Sequence, residues 1–308
     1  MSIEHILVLG AAGFSGMHLC RELEQCGYRV TKADTLPRAD CISSDLLDRA
    51  ALDLLIVRYK PDAIINLAGF PSVGRSWQQP REAIDINLCA AVNLLEAVRH
   101  SGMPVRLLLI GSSEQYGDAD GLVGEDTAQC PASPYAISKQ AQEQLALLYH
   151  RVYGMDIVLT RTFNSIGPGQ RKGFVMADLA SGIVRIERGL QDKLPIGNTA
   201  AVRCFTDMRD TVRAYRLLVE KGVSGRVYNV GSDKPYSVQQ LLDMLISLSG
   251  REIQTERDAA RFRAADPRCV RCDHTLLTAD TGWQCQYTTE QTLKDILQHF
   301  RALPDSEI

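Results

Sequence analysis

Ile6-Leu7-Val8-Leu9-Gly10-Ala11-Ala12-Gly13-Phe14-Ser15-Gly16 decides the fold of this chain. Four consecutive apolar residues without polar alternation describe a strand buried on both faces, as in a parallel sheet covered by helices. Three glycines follow at once. Leu19, Cys20, Leu23 and Cys26 then recur at helical spacing up to a stop at Gly27. Strand, tight turn and helix in this order aim the helix's first amides at the turn, where glycines let a pyrophosphate approach the backbone. Tyr28 to Asp34 reads as a second strand and completes a βαβ unit. Asp34, at its end, can accept hydrogen bonds from both hydroxyls of an adenosine ribose. Gly10, Gly13, Phe14, Ser15, Gly16 and Asp34 are therefore candidate dinucleotide contacts. The carboxylate favours NAD(H) over NADP(H), although Lys32 or Arg38 would soften its repulsion of a 2′-phosphate and make NADP(H) possible.

Outward from this unit the alternation continues. A helical pattern runs from Arg49 to Tyr59, followed by the strand Ala63 to Ala68, a helix from about Ile84 to His100 and the strand Arg106 to Ile110. Tyr135 opens a long helix to about Tyr153, and Asp156 to Arg161 is the next strand. Strands separated by helices imply an α/β fold with a doubly wound parallel sheet, Rossmann-like in order. Asp45-Leu46, after a short third strand, lies where an adenine contact would fall. Gly167-Pro168-Gly169-Gln170 marks departure into a smaller, discontinuous C-terminal lobe. The expected division is a dinucleotide-binding domain over 1–166, with 204–232 returning to it, and a substrate lobe over 167–203 and 233–308. The return is signalled by the buried-strand pattern Arg226 to Val230; Val238, Leu241, Leu242 and Leu245 line an amphipathic helix, and Ile253 to Thr255 reads as a small strand.

The chemistry gathers in two further segments, Gly111-Ser112-Ser113-Glu114-Gln115-Tyr116-Gly117 and Tyr135-Ala136-Ile137-Ser138-Lys139. Tyr-x-x-x-Lys places both side chains on one helix face. A phenol near pKa 10 is a poor acid at neutral pH, and a close ammonium stabilises its phenolate, so Lys139 is expected to tune Tyr135. Ser112, just past an apolar strand, lies at the carboxyl end of the sheet and can hydrogen-bond a reacting oxygen. Glu114 can remove a carbon-bound proton or hold a sugar hydroxyl.

The bulk composition sets limits. The 308 residues are 45% hydrophobic with a formal net charge of −3, and Lys and Arg are scattered, which disfavours nucleic-acid binding. Ile6 to Leu9 is too short for a secretory signal, and no run approaches the roughly 18 apolar residues of a membrane span, so a cytoplasmic enzyme is expected. Nine cysteines spread along the chain, several in apolar contexts such as Cys20 and Cys89, read as reduced thiols. Cys269-x-x-Cys272 with His274 lacks the remaining ligands of a zinc site, and no metal is expected.

These motifs together resemble the extended short-chain dehydrogenases/reductases that act on nucleotide-activated sugars. Asn66-Leu67-Ala68-Gly69, Asn87 and Arg161-x-Phe163-Asn164 extend the resemblance, which covers nearly the whole chain. Within that family the chain is most similar to GDP-4-keto-6-deoxy-D-mannose reductases, which form GDP-D-rhamnose. The stretch Arg161 to Gln170 followed by Gly173-Phe174-Val175, and Val202-Arg203-Cys204-Phe205-Thr206-Asp207, carry that likeness. The resemblance implies that Leu67, Ala68 and Gly69 touch the cofactor, with Lys139 on the nicotinamide ribose. It also implies that Ser113, Asn164, Val175, Arg203 and Arg263 hold a GDP-sugar, the arginines acting as forked donors to the diphosphate. Ser165, Cys204 and Ala264 depart from the His, Asp and Pro common in these reductases, which bears on sugar recognition rather than on proton transfer. A homodimer through the two long helices is a further implication.

The expected activity is therefore NAD(P)H-dependent reduction of the C4 ketone of a GDP-4-keto-6-deoxyhexose. Two rivals stand beside it. GDP-mannose 4,6-dehydratases, and related nucleotide-sugar dehydratases and epimerases, use a Ser/Thr-x-Glu set like Ser112 to Glu114 but usually carry a longer insertion after the second strand. A non-catalytic dinucleotide sensor would have no need of an intact Ser, Tyr and Lys.

Overall fold

The computed structural model describes residues 3–36, 38–258 and 269–308. Seven strands form the central sheet: β1 (His5–Leu9), β2 (Arg29–Asp34), β3 (Ile42–Ser43), β4 (Ala63–Asn66), β5 (Arg106–Ser112), β6 (Ile157–Thr162) and β7 (Val227–Val230). Their spatial order is β3-β2-β1-β4-β5-β6-β7, and every adjacent pair is parallel. The order reverses between β1 and β4, which opens a crevice at their carboxyl ends. In register, Leu9 lies beside Asn66 and Asn66 beside Leu109, so Gly10 and Leu67 leave the sheet at one level while β5 runs on beside β6 to Ser112.

Period-two alternation within the apolar run of β1 builds both covering layers. Ile6 and Val8 pack with Leu19, Leu23, Val212 and Leu218 from helices Phe14–Gln25 and Met208–Lys221. Leu7 and Leu9 pack on the opposite face with Leu52, Ile56, Leu94 and Val98 from helices Arg49–Tyr59 and Ala90–Ser101. Each fully buried Leu or Ile contributes about 2 kcal/mol. A third core joins Met176, Ile183, Leu241, Leu245 and Ile296 from helices Val175–Glu187, Val238–Ser249 and Thr289–Ala302. Among the described residues no helix is long and apolar enough to cross a membrane.

Three features differ from the sequence pattern. The helix expected from Ile84 to His100 is interrupted by a π turn, Asp85–Cys89, whose inner side carries the buried Asn87. Cys89 lies on the outer side of that turn and is exposed, although all nine cysteines are free thiols. The chain also returns to the central core a second time: Val270–Cys272 pairs with Gly121–Val123 in a separate two-stranded sheet, and Leu277 and Trp283 enter the core beside Val212 and Tyr215.

Candidate active site

The glycine turn is shaped by contacts that exclude side chains. Gly10 has φ +79°, and a Cβ there would meet the Ala68 amide nitrogen at 2.7 Å; on Gly16 it would lie 2.2 Å from the Gly10 carbonyl oxygen. Gly13 begins helix Phe14–Gln25 without a side-chain cap, so the first-turn amides remain available to an anion. Asp34 ties the turn to β2: one carboxylate oxygen accepts from the Ala12 amide and the other from the Leu36 amide, each at 2.9 Å. Lys32 is held by Glu24 at 2.9 Å and Asp40 at 3.2 Å, and Arg38 lies 3.4 Å from Asp40. Both cations thus pair with carboxylates at the surface near Asp34.

One continuous cavity of about 1230 Å³ begins at this turn, where Asp34, Asp45 and Leu46 form its outer wall. It passes Gly13, Phe14, Ser15, Leu67, Ala68 and Gly69, reaches Ser112, Ser113 and Tyr135, and ends among Asn164, Val175 and Arg203. The sites expected for dinucleotide and sugar nucleotide thus share one space. A glycine turn that a Cβ would fill, uncapped helix amides and a strand-end carboxylate fit a nicotinamide dinucleotide. Arg263 lies outside the described residues.

At the cavity's centre Ser112 and Tyr135 line the same wall, with the Ser112 hydroxyl close enough to favour the ionised form of the phenol. Ser112 Oγ accepts from the Glu114 amide at 3.2 Å, which leaves its own proton free for the phenol or a ligand oxygen. Burial pushes the Tyr135 phenol up, the nearby Ser112 hydroxyl opposes this, and the charge of Glu114 adds to the rise. Lys139 is absent from these influences. Its ammonium donates to the Ile110 carbonyl at 2.9 Å and Gln142 Oε1 at 3.2 Å, and burial lowers it to about 8. The expected tuning of Tyr135 by Lys139 is therefore not a direct contact in this structure. Gly69 makes room for the lysine, since a Cβ there would lie 3.3 Å from Nζ and 3.0 Å from Asn87 Oδ1. Glu114 is exposed and outside the cavity lining.

The sequence offered Asn87 and Arg161 only as motif positions and gave Glu143 no role, and the structure shows that all three hold these parts together. Asn87 accepts from the Phe70 amide at 2.8 Å and donates to Ser138 Oγ at 2.9 Å, joining the β4 loop to the Tyr135 helix. Glu143 pairs with Arg161 through two bonds of 2.9 and 2.8 Å, both side chains being buried. Glu143 follows Lys139 by one helical turn, and Arg161 lies in a buried strand whose first three residues are apolar; opposite charges on two buried faces are the signal that was available. Arg75 and Tyr215 also line the cavity, Tyr215 bonding Thr162 Oγ1 at 2.9 Å. Cys269 sits beside Cys204 rather than forming a pair with Cys272.

Comparison with known proteins agrees with this geometry. Residues 7–296 match the family model described as GDP-mannose 4,6 dehydratase. The chain is 34% identical over 303 residues to GDP-6-deoxy-D-mannose reductase of Pseudomonas aeruginosa, covering 97% of this chain and 98% of that one. The structure of RMD from Pseudomonas aeruginosa complexed with NADPH superimposes with a TM-score of 0.89 at 34% identity, covering 97% of this chain and 99% of that one. Thermus thermophilus UDP-glucose 4-epimerase in complex with NAD follows at a TM-score of 0.85 and 25% identity, with coverage of 97% and 99%. With the glycine turn, Ser112 and Tyr135 meeting in one cavity and Lys139 buried behind Gly69 at its wall, the chain belongs to the GDP-mannose 4,6-dehydratase family of nucleotide-sugar enzymes, a branch of the extended short-chain dehydrogenases/reductases.

Proposed function

We propose that this protein reduces the C4 ketone of a GDP-4-keto-6-deoxyhexose with NAD(P)H. The observation that carries the reading is the convergence of Ser112 and Tyr135 at the middle of a cavity running from the glycine turn to Arg203. When bound, the nicotinamide supplies a hydride to the carbonyl carbon. Tyr135 holds the proton that the carbonyl oxygen takes, and Ser112 donates a hydrogen bond to the same oxygen as charge develops. Lys139, beside Gly69, holds the ribose next to the nicotinamide. At the far end Asn164, Arg203 and the amides of helix Val175–Glu187 take the diphosphate, with Ser113 on the sugar and Arg263 a further diphosphate ligand.

NADH is the preferred cofactor in this reading, because Asp34 faces the ribose and Lys32 and Arg38 are engaged by carboxylates. Residues 1–166, with 204–232 returning to them, serve the dinucleotide, and 167–203 with 233–308 the sugar nucleotide. The free cysteines fit a reducing cytoplasm. Exposed Ile137, Leu148, Val152 and Tyr153 on helix Pro134–Tyr153 give a homodimer an apolar face, and sedimentation at graded concentrations measures it.

A second reading, 4,6-dehydration, draws on Glu114, whose charge is felt at Tyr135. One pair of assays separates the two. Oxidation of NADH or NADPH on addition of GDP-4-keto-6-deoxymannose supports the reductase; accumulation of a 4-keto-6-deoxy sugar from GDP-mannose and NAD⁺ overturns it.

A further inference from the structure

Gln115 occupies an unusual place between the two catalytic elements. Its Oε1 accepts the backbone N–H of Ser112 at 2.9 Å, while its Nε2 donates to Glu143 at 2.8 Å and to Gln129 at 3.2 Å. The first bond belongs to a reciprocal capping box on the short helix Ser113–Tyr116, in which Ser112 is the N-cap. The second reaches helix Pro134–Tyr153 two turns beyond Tyr135, on the face that also carries Lys139. Gln115 is fully buried. Its partner Glu143 is fixed from the other side by Arg161, so the amide bridges a rigid strand end to a rigid helix. The strand makes room for this: a Cβ on Gly111 would fall 2.7 Å from Gln115 Oε1 and 2.3 Å from the Thr160 carbonyl oxygen.

We propose that Gln115 is a positioning residue for the reduction, its amide setting the separation and angle of the Ser112 and Tyr135 hydroxyls by tying the end of β5 to Glu143. The proposal rests on the reductase reading above for the reaction, but the bridge itself is a property of the folded chain. Only an amide fits the role among residues of this size, because position 115 must accept from one neighbour and donate to another. Methionine has the length and neither function. Glutamate keeps the acceptor, places a charge against Glu143 when ionised, and regains a donor when protonated; Arg161 is the cation bonded to Glu143.

The test uses Gln115→Met and Gln115→Glu in the full chain, each first shown to be folded by circular dichroism and to bind NADPH by fluorescence. In Gln115→Met, kcat for the ketosugar should fall about 100-fold with KM within about twofold, the scale expected of a misplacement near 1 Å. The Tyr135 phenol, followed by ultraviolet titration against Tyr135→Phe, should ionise at higher pH because a displaced Ser112 hydroxyl favours its ionised form less. In Gln115→Glu the ratio of its kcat to that of the unmodified protein should rise as pH falls, as the protonated carboxyl restores the donor. A folded, cofactor-binding Gln115→Met with kcat within twofold overturns the proposal. So does a lowered kcat with an unmoved Tyr135 titration and a flat pH ratio, which would mark a structural effect only. If the unmodified protein leaves the ketosugar untouched, the reductase reading fails, and the Tyr135 titration still decides the bridge.

Discussion

At the Asp34 end of the cavity the contacts are made by main chain held in regular structure, whereas at the Arg203 end they come from loops and very short strands. Gly10 and Gly16 are packed against backbone at distances no side chain tolerates, and Asp34 anchors two amides of the turn. Arg203 sits instead on the three-residue strand Val202–Cys204, paired with Pro235–Ser237, and Asn164 is exposed on the segment leaving β6. The first arrangement gives a fixed frame suited to a ligand common to many reactions. The second can change its residues without disturbing the sheet, which suits the part that selects a sugar nucleotide.

The comparison breaks hardest where the two ends meet. Tyr135→Phe removes the proton donor while leaving the ring in place, and turnover should drop about 1000-fold. Affinity for NADPH should stay within about twofold by fluorescence titration, since no frame contact is lost. Turnover within tenfold of the unmodified protein would remove Tyr135 from the proposed role.

Next in size are substitutions at the two ends. Gly16→Ala forces a Cβ to within 2.2 Å of the Gly10 carbonyl oxygen, and the helix must move away from β1. Overpacking of that kind costs about 3 kcal/mol, visible in urea unfolding together with weakened cofactor binding. Arg203→Ala should behave in the opposite manner. Losing a charged donor to a diphosphate is worth about 2 kcal/mol, a rise in KM for the GDP-sugar of about 30-fold, with unfolding and NADPH affinity nearly unchanged. If Arg203→Ala unfolds as readily as Gly16→Ala, the far end is part of the frame and the contrast is wrong.

The same contrast explains what was legible in the sequence. Ile6 to Gly16 declares its strand, turn and helix locally, because apolar periodicity and glycine placement act over a few residues. Tyr135 and Lys139 were equally plain, being one helical turn apart. The interruption at Asp85–Cys89 was not, since a π turn leaves the apolar pattern intact and is needed only to bring Asn87 between Phe70 and Ser138. Nor was the Gln115, Glu143 and Arg161 assembly, whose members lie on three separate elements and acquire meaning only when β5, β6 and helix Pro134–Tyr153 are side by side. The direct tuning of Tyr135 by Lys139 was inferred from spacing alone. Shared helix face does not fix where a four-carbon side chain ends, and here it ends on the Ile110 carbonyl.

Lys139 offers the finest test of the frame, because it is a buried charge that the cofactor end carries for function rather than stability. Burial lowers its pKa from 10.5 to about 8, so at neutral pH holding the proton costs about 3 kcal/mol relative to the unfolded chain. Its bonds to Ile110 and Gln142 return about 1 kcal/mol each. Lys139→Met should therefore abolish turnover yet stabilise the fold by about 1 kcal/mol near neutrality. The sign of the pH dependence follows from proton counts. Between about 8 and 10.5 the unfolded chain binds the proton more tightly than the folded one, so the unmodified protein gains stability as pH rises through that window. The variant has no such gain, and its advantage should be full below about pH 8 and shrink above it. Parallel urea titrations at about pH 7.5 and about pH 10 measure this difference directly. An advantage that stays constant, or a variant less stable at both values, would mean that the lysine's hydrogen bonds outweigh its burial and that the cofactor end is held together by its charge.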